Sequence, residues 1–339
     1  MIMLNIDWKN LGFAYMDTAC HIEYVWRDGV WDSGTLVKEP YLKMHIAASC
    51  LHYGQAAFEG MKAFRCQDGR IRAFRPEENA KRMYRTAGRA CMAQVPVNMF
   101  LEAVKRVVKA NEEYVPPYGS GGSLYIRPLL IGSGMQIGVA PAKEYTFLIL
   151  VIPVGAYYKG GLKPVKSIII DEFDRAAPLG MGDVKVAGNY AASLYAHEKA
   201  KEAGYPVELY LDAKEHRYVE EFATSNFLGI KPDGTYVTPD SRSVLPSVTN
   251  DTLKQLAADL GMKVETRAVP VEELSTFTEI AACGTAVVVT PVYEITHGET
   301  VITIGSPDTC GPVVQRLFDA VQGIQYGEQP DVHGWCVEV

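Results

Sequence analysis

Short apolar runs separated by turn residues dominate the first 75 residues of the chain. Asp28-Gly29 separates two such runs, 24–26 and 30–31, and Asp68-Gly69 separates another pair. An Asp-Gly pair flanked by apolar stretches is typical of a tight β-hairpin turn. The pattern therefore predicts β-hairpins in this part of the chain.

A helical periodicity follows from residue 76 onward. Pro76 is well placed for the first turn of a helix. Between residues 97 and 108 the apolar positions recur three and four apart, which predicts a second helix. The apolar runs 124–131 and 145–152 then predict two buried strands. We expect the first region to be an α+β unit.

A stretch rich in proline and glycine, residues 153–164, interrupts the pattern and predicts an interdomain linker. We place a first domain at 1–155, the linker at 156–165 and a second domain at 166–339. The second domain is rich in predicted strands, which lie at 167–171, 207–211, 218–221, 227–231, 263–267, 279–282, 286–290 and 301–304. Its helices are predicted at about 189–203, 250–260 and 312–324.

These helices are too few for a regular βαβ alternation, which argues against a Rossmann fold or a TIM barrel. The expected fold class is therefore α+β, with a smaller N-terminal α+β domain and a larger, strand-rich C-terminal domain. The absence of a G-x-G-x-x-G motif after a strand also argues against a dinucleotide-dependent oxidoreductase.

Charge and composition exclude further classes. The chain has 339 residues and a net charge of −7, which argues against a nucleic-acid partner. Its apolar runs are far shorter than the roughly 18 residues that span a bilayer, and its start does not resemble a signal peptide. The seven cysteines include no CxxC pair and the histidines are scattered, so we expect reduced thiols, no metal site and a cytoplasmic location.

Lys185 is the first candidate for chemistry. Glycines flank it on both sides and a predicted helix follows directly, so a ligand could approach the backbone closely. A lysine that is partly desolvated in such a place can act as an amine nucleophile. The alternative is a surface lysine in a flexible loop, and the segment is not a Walker A motif.

Three other segments carry polar groups in patterns that suit a ligand. Glu220 and Glu221 are neighbours in a strand, so one faces inward if the other faces water, and an inward carboxylate would suit a protonated ring nitrogen. The alternative is two solvated glutamates. The turn 283–286 offers amides and a hydroxyl to an anion, or is a plain turn. Residues 246–251 lead into a helix whose first amides could hold a phosphate, or they form an ordinary N-cap.

Taken together, these segments resemble the branched-chain amino-acid aminotransferases, which belong to the fold-type IV class of enzymes that use pyridoxal 5′-phosphate (PLP). The resemblance covers nearly the whole chain. The matching segments are 53–64, 74–76 with 79–83, 123–128, 154–157, the Lys185 segment, 221–226, 284–286 and 324–327. Animal members carry a CxxC after the Gly-Thr-Ala turn, whereas this chain has Val287-Val-Val-Thr290, so we expect no thiol redox switch there.

The resemblance implies a role for each residue of the cofactor site. Lys185 would bind PLP covalently and then act as the catalytic base. Glu221 would hold the pyridine nitrogen, and Tyr190 the phenolate oxygen. The phosphate would be bound by Arg82, which has the family's Asn-x-x-Arg spacing, by the amides of Val248 and Thr249, and by the Thr285 hydroxyl. Most of the other basic residues near Arg82 are expected to be solvated.

The resemblance also implies the substrates and the partners. The activity would be transamination of L-leucine, L-isoleucine and L-valine with 2-oxoglutarate, in branched-chain amino-acid biosynthesis, by a homodimer. Arg127 would bind the second carboxylate of glutamate, and the Thr285–Ala286 turn would bind the α-carboxylate. The substrate contacts are expected from Tyr53, Phe58, Tyr125, Arg127, Tyr157, Thr224 and Ala286. Any single tyrosine of this set could instead serve core packing.

Two alternatives remain open at this point. D-amino-acid transaminases and aminodeoxychorismate lyases share the fold, but they are shorter and lack these forms of the 59–64 and 125–128 motifs. A non-catalytic PLP-fold protein that binds a small molecule, in which Lys185 is incidental, is the alternative from a different class.

Overall fold

The computed structural model describes residues 6–155 and 161–339. The described chain forms two compact units. The first contains residues 6–155, 185–188 and 323–339, and the second contains residues 161–184 and 189–322. The four residues that begin at Lys185 thus group with the first unit, although their chain neighbours on both sides belong to the second.

The first unit is built on an antiparallel sheet. Its described strands are β1 (His21–Arg27), β2 (Val30–Trp31), β3 (Thr35–Val37), β4 (Ala56–Phe58), β5 (Met61–Arg65), β6 (Ile71–Phe74), β7 (Ser123–Gly132), β8 (Glu144–Val154) and, from the end of the chain, β18 (Cys336–Glu338). The strand order is β18-β6-β5-β7-β8-β1-β2, with β3 paired to β1 and β4 paired to β7. The predicted Asp-Gly hairpins are confirmed, since β1 pairs with β2 and β5 with β6.

Three helices lie in this unit: α1 (Ser49–Tyr53), α2 (Pro76–Arg89) and α3 (Val97–Ala110). Pro76 occupies the first turn of α2, as its fixed φ predicts. The apolar faces of α2 and α3 share one core with alternate residues of the sheet, such as Leu124 and Ile126. The other face of β7 therefore carries Tyr125 and Arg127, because successive side chains of a strand alternate.

The second unit contains a mixed sheet. Its described strands are β9 (Val165–Ile170), β10 (Val207–Leu211), β11 (Val219–Phe222), β12 (Ser225–Ile230), β13 (Tyr236–Pro239), β14 (Val264–Arg267), β15 (Glu279–Gly284), β16 (Val288–His297) and β17 (Thr300–Thr303). The strand order is β11-β10-β9-β16-β15-β12-β13-β14, and β11 also pairs with β12. That extra pairing closes β9, β10, β11, β12, β15 and β16 into a ring around an apolar core that includes Phe222 and Phe227.

The remaining α-helices are α4 (Ala187–Glu202), α5 (Val248–Asp259) and α6 (Pro312–Gln325). Each lies within two residues of its predicted start. Short 3-10 turns span Glu112–Tyr114 and Val271–Thr276. Sequence patterning missed α1, β3, β4, β13 and β18, which are all five residues or shorter and carry too few positions for a period to show.

The α+β prediction is confirmed, and the boundary at 156–165 stays a prediction. All seven cysteines are free thiols. Within the described part of the chain, no helix is long and apolar enough to cross a membrane.

Candidate active site

Lys185 is held against the first unit by its backbone. Its carbonyl accepts the Phe58 amide at 3.1 Å, and its own amide donates to the Thr86 hydroxyl at 3.2 Å. The next residue, Val186, forms a β-bridge with Ala57. The side chain contacts the face of the Phe58 ring, with Nζ 4.6 Å from the ring centroid. The backbone at Lys185 is therefore held by contacts to β4 and α2, and its amine lies against a side chain of β4.

Arg127 lies at the same aromatic surface. Its guanidinium carbon is 5.0 Å from the centroid of Phe58 and 5.2 Å from that of Tyr125, and it donates to the Tyr125 hydroxyl at 3.0 Å. Its Nε is buried and has no hydrogen-bond partner among the described residues. A buried donor without a partner is rare in a folded protein, and it suits a site that is completed by an anionic ligand.

Phe13 and Gly60 complete this surface, and sequence reasoning singled out neither. The Phe13 ring packs edge-to-face on Tyr125 with centroids 4.8 Å apart. A Cβ at Gly60 would overlap the Tyr125 hydroxyl, so only glycine fits under this ring. Phe13 precedes the first strand and carries no periodic signal, which is why patterning could not find it.

Arg82 is buried, with about 5% of its surface exposed, whereas Lys81, Arg85 and Arg89 on the same helix are exposed. Its Nε and one terminal nitrogen donate to the Glu59 carboxylate at 2.7 Å each. The expectation that its basic neighbours on the helix are solvated therefore holds. Glu59 is a partner that sequence reasoning did not assign.

Tyr53 is about half exposed at the end of α1, and its hydroxyl donates to the Ile137 carbonyl. Ile137 is not one of the residues of the Phe58–Arg127 surface. The predicted contact at Tyr157 lies outside the described residues. Among the predicted substrate residues of this unit, the structure thus brings together Phe58, Tyr125 and Arg127, with the Lys185 amine beside them.

Glu221 lies in the second unit and is buried, with about 4% of its surface exposed. It forms an ion pair with Arg175 at 2.7 Å and accepts from the Asn226 side chain at 2.7 Å and the Leu245 amide at 3.0 Å. Burial raises the pKa of Glu221, and the Arg175 charge with these hydrogen bonds acts in the opposite direction. Arg175 is a second partner that sequence reasoning missed.

The neighbouring Glu220 is also buried, so the alternative of two solvated glutamates is wrong. Its carboxylate accepts from the hydroxyls of Ser241 and Ser243. Arg175 donates to the carbonyls of Gly182 and Ser243, and its Nε is buried without a partner among the described residues. Two carboxylates and one guanidinium therefore share this buried polar cluster.

Two further segments of the second unit were predicted to bind anions. Ser247 is the N-cap of α5 and accepts the Asn250 amide, so this cap does not use the amides of Val248 and Thr249. Thr285 and Ala286 lie in the turn between β15 and β16. Thr224 lies in the turn between β11 and β12, and since β12 and β15 are antiparallel neighbours, both turns meet at one end of the sheet. Tyr190 lies near the start of α4.

This chain is similar to known proteins over nearly its whole length. Residues 56–295 match the family model described as amino-transferase class IV. The chain is 48% identical over 343 residues to the branched-chain-amino-acid aminotransferase of Haemophilus influenzae, covering 99% of this chain and 100% of the relative. The Escherichia coli branched-chain amino acid aminotransferase structure aligns with a TM-score of 0.77 at 28% identity, covering 93% of this chain and 98% of that one.

A T.th. branched-chain amino acid aminotransferase, solved with pyridoxamine 5′-phosphate, aligns with a TM-score of 0.78 at 27% identity and with the same two coverages. The family match spans well over half of the chain, and the similarity to the Haemophilus influenzae relative extends to both ends of it. This chain therefore belongs to the class IV aminotransferase family.

Proposed function

We propose that this enzyme transfers the amino group of L-leucine, L-isoleucine or L-valine to 2-oxoglutarate, which yields the branched-chain 2-oxo acid and L-glutamate. The observation that carries the proposal is that the Lys185 amine and the Arg127 guanidinium both contact the Phe58 ring. A reactive amine, an aromatic surface for an alkyl group and a cation for a second carboxylate thus occur in one unit. The names of the matched relatives support the same reaction.

The donor set fits PLP as the cofactor. Glu221 is a buried carboxylate whose charge is supported by Arg175, which is what a protonated ring nitrogen requires of its partner. In this proposal the cofactor is held by Lys185, Glu221, Tyr190, Arg82, Thr285 and the amides of Val248 and Thr249. When bound, PLP supplies an electron sink for the negative charge that develops at the substrate's α-carbon.

Proton transfer is assigned to Lys185. With the cofactor bound, the Lys185 Nζ would take the proton from the substrate's α-carbon as a base and would return a proton as an acid, and these roles would reverse in the second half-reaction. The two backbone hydrogen bonds at Lys185 restrict where the amine can reach. Fixed geometry of this kind lowers the entropic cost of proton transfer.

Substrate binding is assigned to polar and aromatic groups together. Phe58, Tyr125 and Tyr157 would contact the branched alkyl group, and Tyr53 would contact the substrate bound by the other copy of the dimer. Thr224 and the Ala286 amide would bind the α-carboxylate. Arg127 would bind the side-chain carboxylate of glutamate, because burying that charge without a cation is costly. The unpartnered Nε of Arg127 supports this assignment.

We further propose a homodimer that works in the cytoplasm in branched-chain amino-acid biosynthesis, with residues 156–165 linking its two domains. Two apolar segments of the first unit, one around Ile46 and one around Val139, support an interface between copies. They lie side by side, since the Gln136 amide donates to the Ala47 carbonyl at 2.8 Å. Their large apolar side chains are exposed, Ile46 by 83% and Val139 by 88%, and such patches mark protein–protein contacts. The seven free thiols support a reducing compartment.

An amino-donor screen tests the reaction. The full-length, PLP-loaded enzyme is given 2-oxoglutarate with L-leucine, L-isoleucine, L-valine or D-alanine, and glutamate is measured. We expect activity with the three branched L-amino acids and none with D-alanine. A preference for D-alanine would instead indicate a D-amino-acid transaminase.

The covalent role of Lys185 is tested separately. Borohydride reduction followed by peptide mapping should place the pyridoxyl group on Lys185, and Lys185→Ala should remove the visible absorption band. A colourless wild-type protein after PLP addition, or an adduct on another lysine, would contradict the proposal.

A further inference from the structure

A fully buried glutamate connects β4 to β5. Glu59 has no exposed surface, and its amide donates to the Pro128 carbonyl at 2.9 Å. Its carboxylate accepts from Nε and a terminal nitrogen of Arg82 at 2.7 Å each, and from the Asn79 side chain at 2.8 Å. A buried charge is tolerated when it is paired and hydrogen-bonded, and this carboxylate meets both conditions.

Stability alone does not account for an ion pair at this place. A buried pair is on average no more stabilising than apolar residues of similar volume, and the nearby Ala57 and Met61 already belong to the apolar core. A carboxylate that accepts two parallel N–H bonds does, however, fix the plane of a guanidinium. Glu59 engages two of the five N–H donors of Arg82 in this way.

The residues on both sides of Glu59 in the chain also make specific contacts. Asn79 lies one turn before Arg82 on α2, and its amide also donates to the Gly60 carbonyl at 3.2 Å. Gly60 packs directly under the Tyr125 hydroxyl. On its other side Glu59 follows Phe58, whose ring contacts the Lys185 amine. The segment 58–60 therefore joins the surface around the reactive amine to the arginine on α2.

We propose that Glu59 is a positioning residue for the phosphate of PLP, acting through the orientation of Arg82. The proposal rests on the phosphate-binding role proposed for Arg82. Because the Glu59–Arg82 pair is close to neutral overall, the arginine contributes aligned N–H donors to the phosphate more than it contributes net charge. Loss of Glu59 should therefore weaken recognition of the phosphate and leave recognition of the pyridine ring unchanged.

Two ligands that differ only in the phosphate separate these contributions. Full-length apoenzyme is titrated calorimetrically with pyridoxamine 5′-phosphate and with pyridoxamine. Both ligands carry an amine in place of the aldehyde, so neither forms a covalent bond with Lys185. We expect Glu59→Gln to weaken binding of the phosphorylated ligand by about tenfold or more, and to change pyridoxamine affinity by less than about twofold. The proposal would be overturned if the ratio of the two affinities in Glu59→Gln stayed within about twofold of the ratio in the wild type.

Controls address folding and charge. Glu77→Gln removes an exposed carboxylate from α2, the helix that carries Arg82, and should leave both affinities unchanged. Should Glu59→Gln fail to fold, Glu59→Asp, which keeps the buried negative charge but shortens the side chain that reaches Arg82, takes its place. A preference for pyridoxamine 5′-phosphate over pyridoxamine that is about tenfold or more weaker than in the wild type supports action through Arg82. A preference within about twofold of the wild type overturns it.

The same titrations keep the two proposals distinguishable. A wild-type enzyme that binds both ligands equally well would overturn the phosphate role of Arg82, and with it the proposal for Glu59. A wild-type enzyme that prefers the phosphorylated ligand, together with a Glu59→Gln variant that does so equally, would overturn the Glu59 proposal alone.

Discussion

Two buried ion pairs determine what the charged side chains in them can do. Arg82 and Glu59 form one pair, and Arg175 and Glu221 form another. Removing one partner would leave an uncompensated buried charge, which typically destabilises a protein by about 3–5 kcal/mol. Two effects act on Glu221 in opposite directions. Burial favours its protonated form, and the charge of Arg175 favours its carboxylate form.

Substitution of Arg127 separates the two half-reactions. Arg127→Leu removes the cation proposed for the second carboxylate, which only glutamate and 2-oxoglutarate carry. We expect the glutamate half-reaction to slow by about 10- to 100-fold more than the leucine half-reaction in single-turnover measurements, as the loss of charge-assisted hydrogen bonds implies. Arg85→Leu, an exposed position on α2, is the matched control. Equal losses in both half-reactions would contradict the role of Arg127.

Glu208 predicts a pH dependence of stability. Burial raises its pKa, and the partly exposed His197, 3.1 Å away, acts in the opposite direction. A carboxyl group with a raised pKa in the folded state stabilises the protein below its ordinary pKa, and this contribution is lost as pH rises through the folded value.

We therefore expect Glu208→Gln to become more stable relative to wild type as the pH is raised from 4, which is below the ordinary pKa of the carboxyl group, to 8. Urea unfolding at each pH measures this difference. Glu202→Gln, which removes an exposed carboxylate from α4, should show no such trend. A difference between wild type and Glu208→Gln that is constant with pH would show that the Glu208 carboxyl does not titrate differently on folding.

At the scale of elements, strand alternation and helix ends place the side chains. In β7 the alternation sends Leu124 and Ile126 into the core and puts Tyr125 and Arg127 on the opposite face. The N-terminus of α6 is capped from a distant strand, because the Glu279 carboxylate accepts the amides of Val313 at 3.0 Å and Val314 at 2.8 Å. A carboxylate in this position also interacts favourably with the helix dipole.

Loss of this cap should destabilise the protein. Glu279→Ala leaves two amides of the first turn of α6 without their acceptor, so we expect the free energy of unfolding in urea to fall by about 1–2 kcal/mol. Glu272→Ala, at an exposed position of the Val271–Thr276 turn, should change it by less than about 0.5 kcal/mol. Equal stability of the two variants would show that the cap contributes nothing.

At the scale of the whole molecule, chain order and structural grouping differ. Residues 185–188 group with the first unit, although the segments before and after them belong to the second. The end of the chain also returns to the first unit, where β18 pairs with β6. Both features depend on pairing between segments that are far apart in sequence, so no local sequence pattern predicts them.

Assembly is tested at this scale. If the two apolar segments form the interface between copies, Ile46→Glu/Val139→Glu should shift the protein from dimer to monomer in analytical ultracentrifugation, because charges at a buried contact are costly. Val332→Glu, which is 77% exposed and lies outside these segments, is the control. A double variant that stays dimeric would place the interface elsewhere, and a monomeric wild type would overturn the dimer.

Local patterning was sufficient to predict the kinds of elements and most of their positions. Turn pairs such as Asp28-Gly29 and the helical spacing between 97 and 108 act over a few residues, so they can be read directly from the chain. The order of its motifs was also sufficient to identify the family. Short elements such as β4 and β18 were missed because too few residues carry a period.

Tertiary structure alone decided how the polar groups are used. The sequence does not distinguish a buried Glu220 from a solvated one, and it does not pair Arg82 with Glu59 or Glu221 with Arg175, since these partners meet only after distant segments pack. The reason is physical. Whether a charge is desolvated depends on everything that surrounds it, and most of those neighbours are remote in the chain.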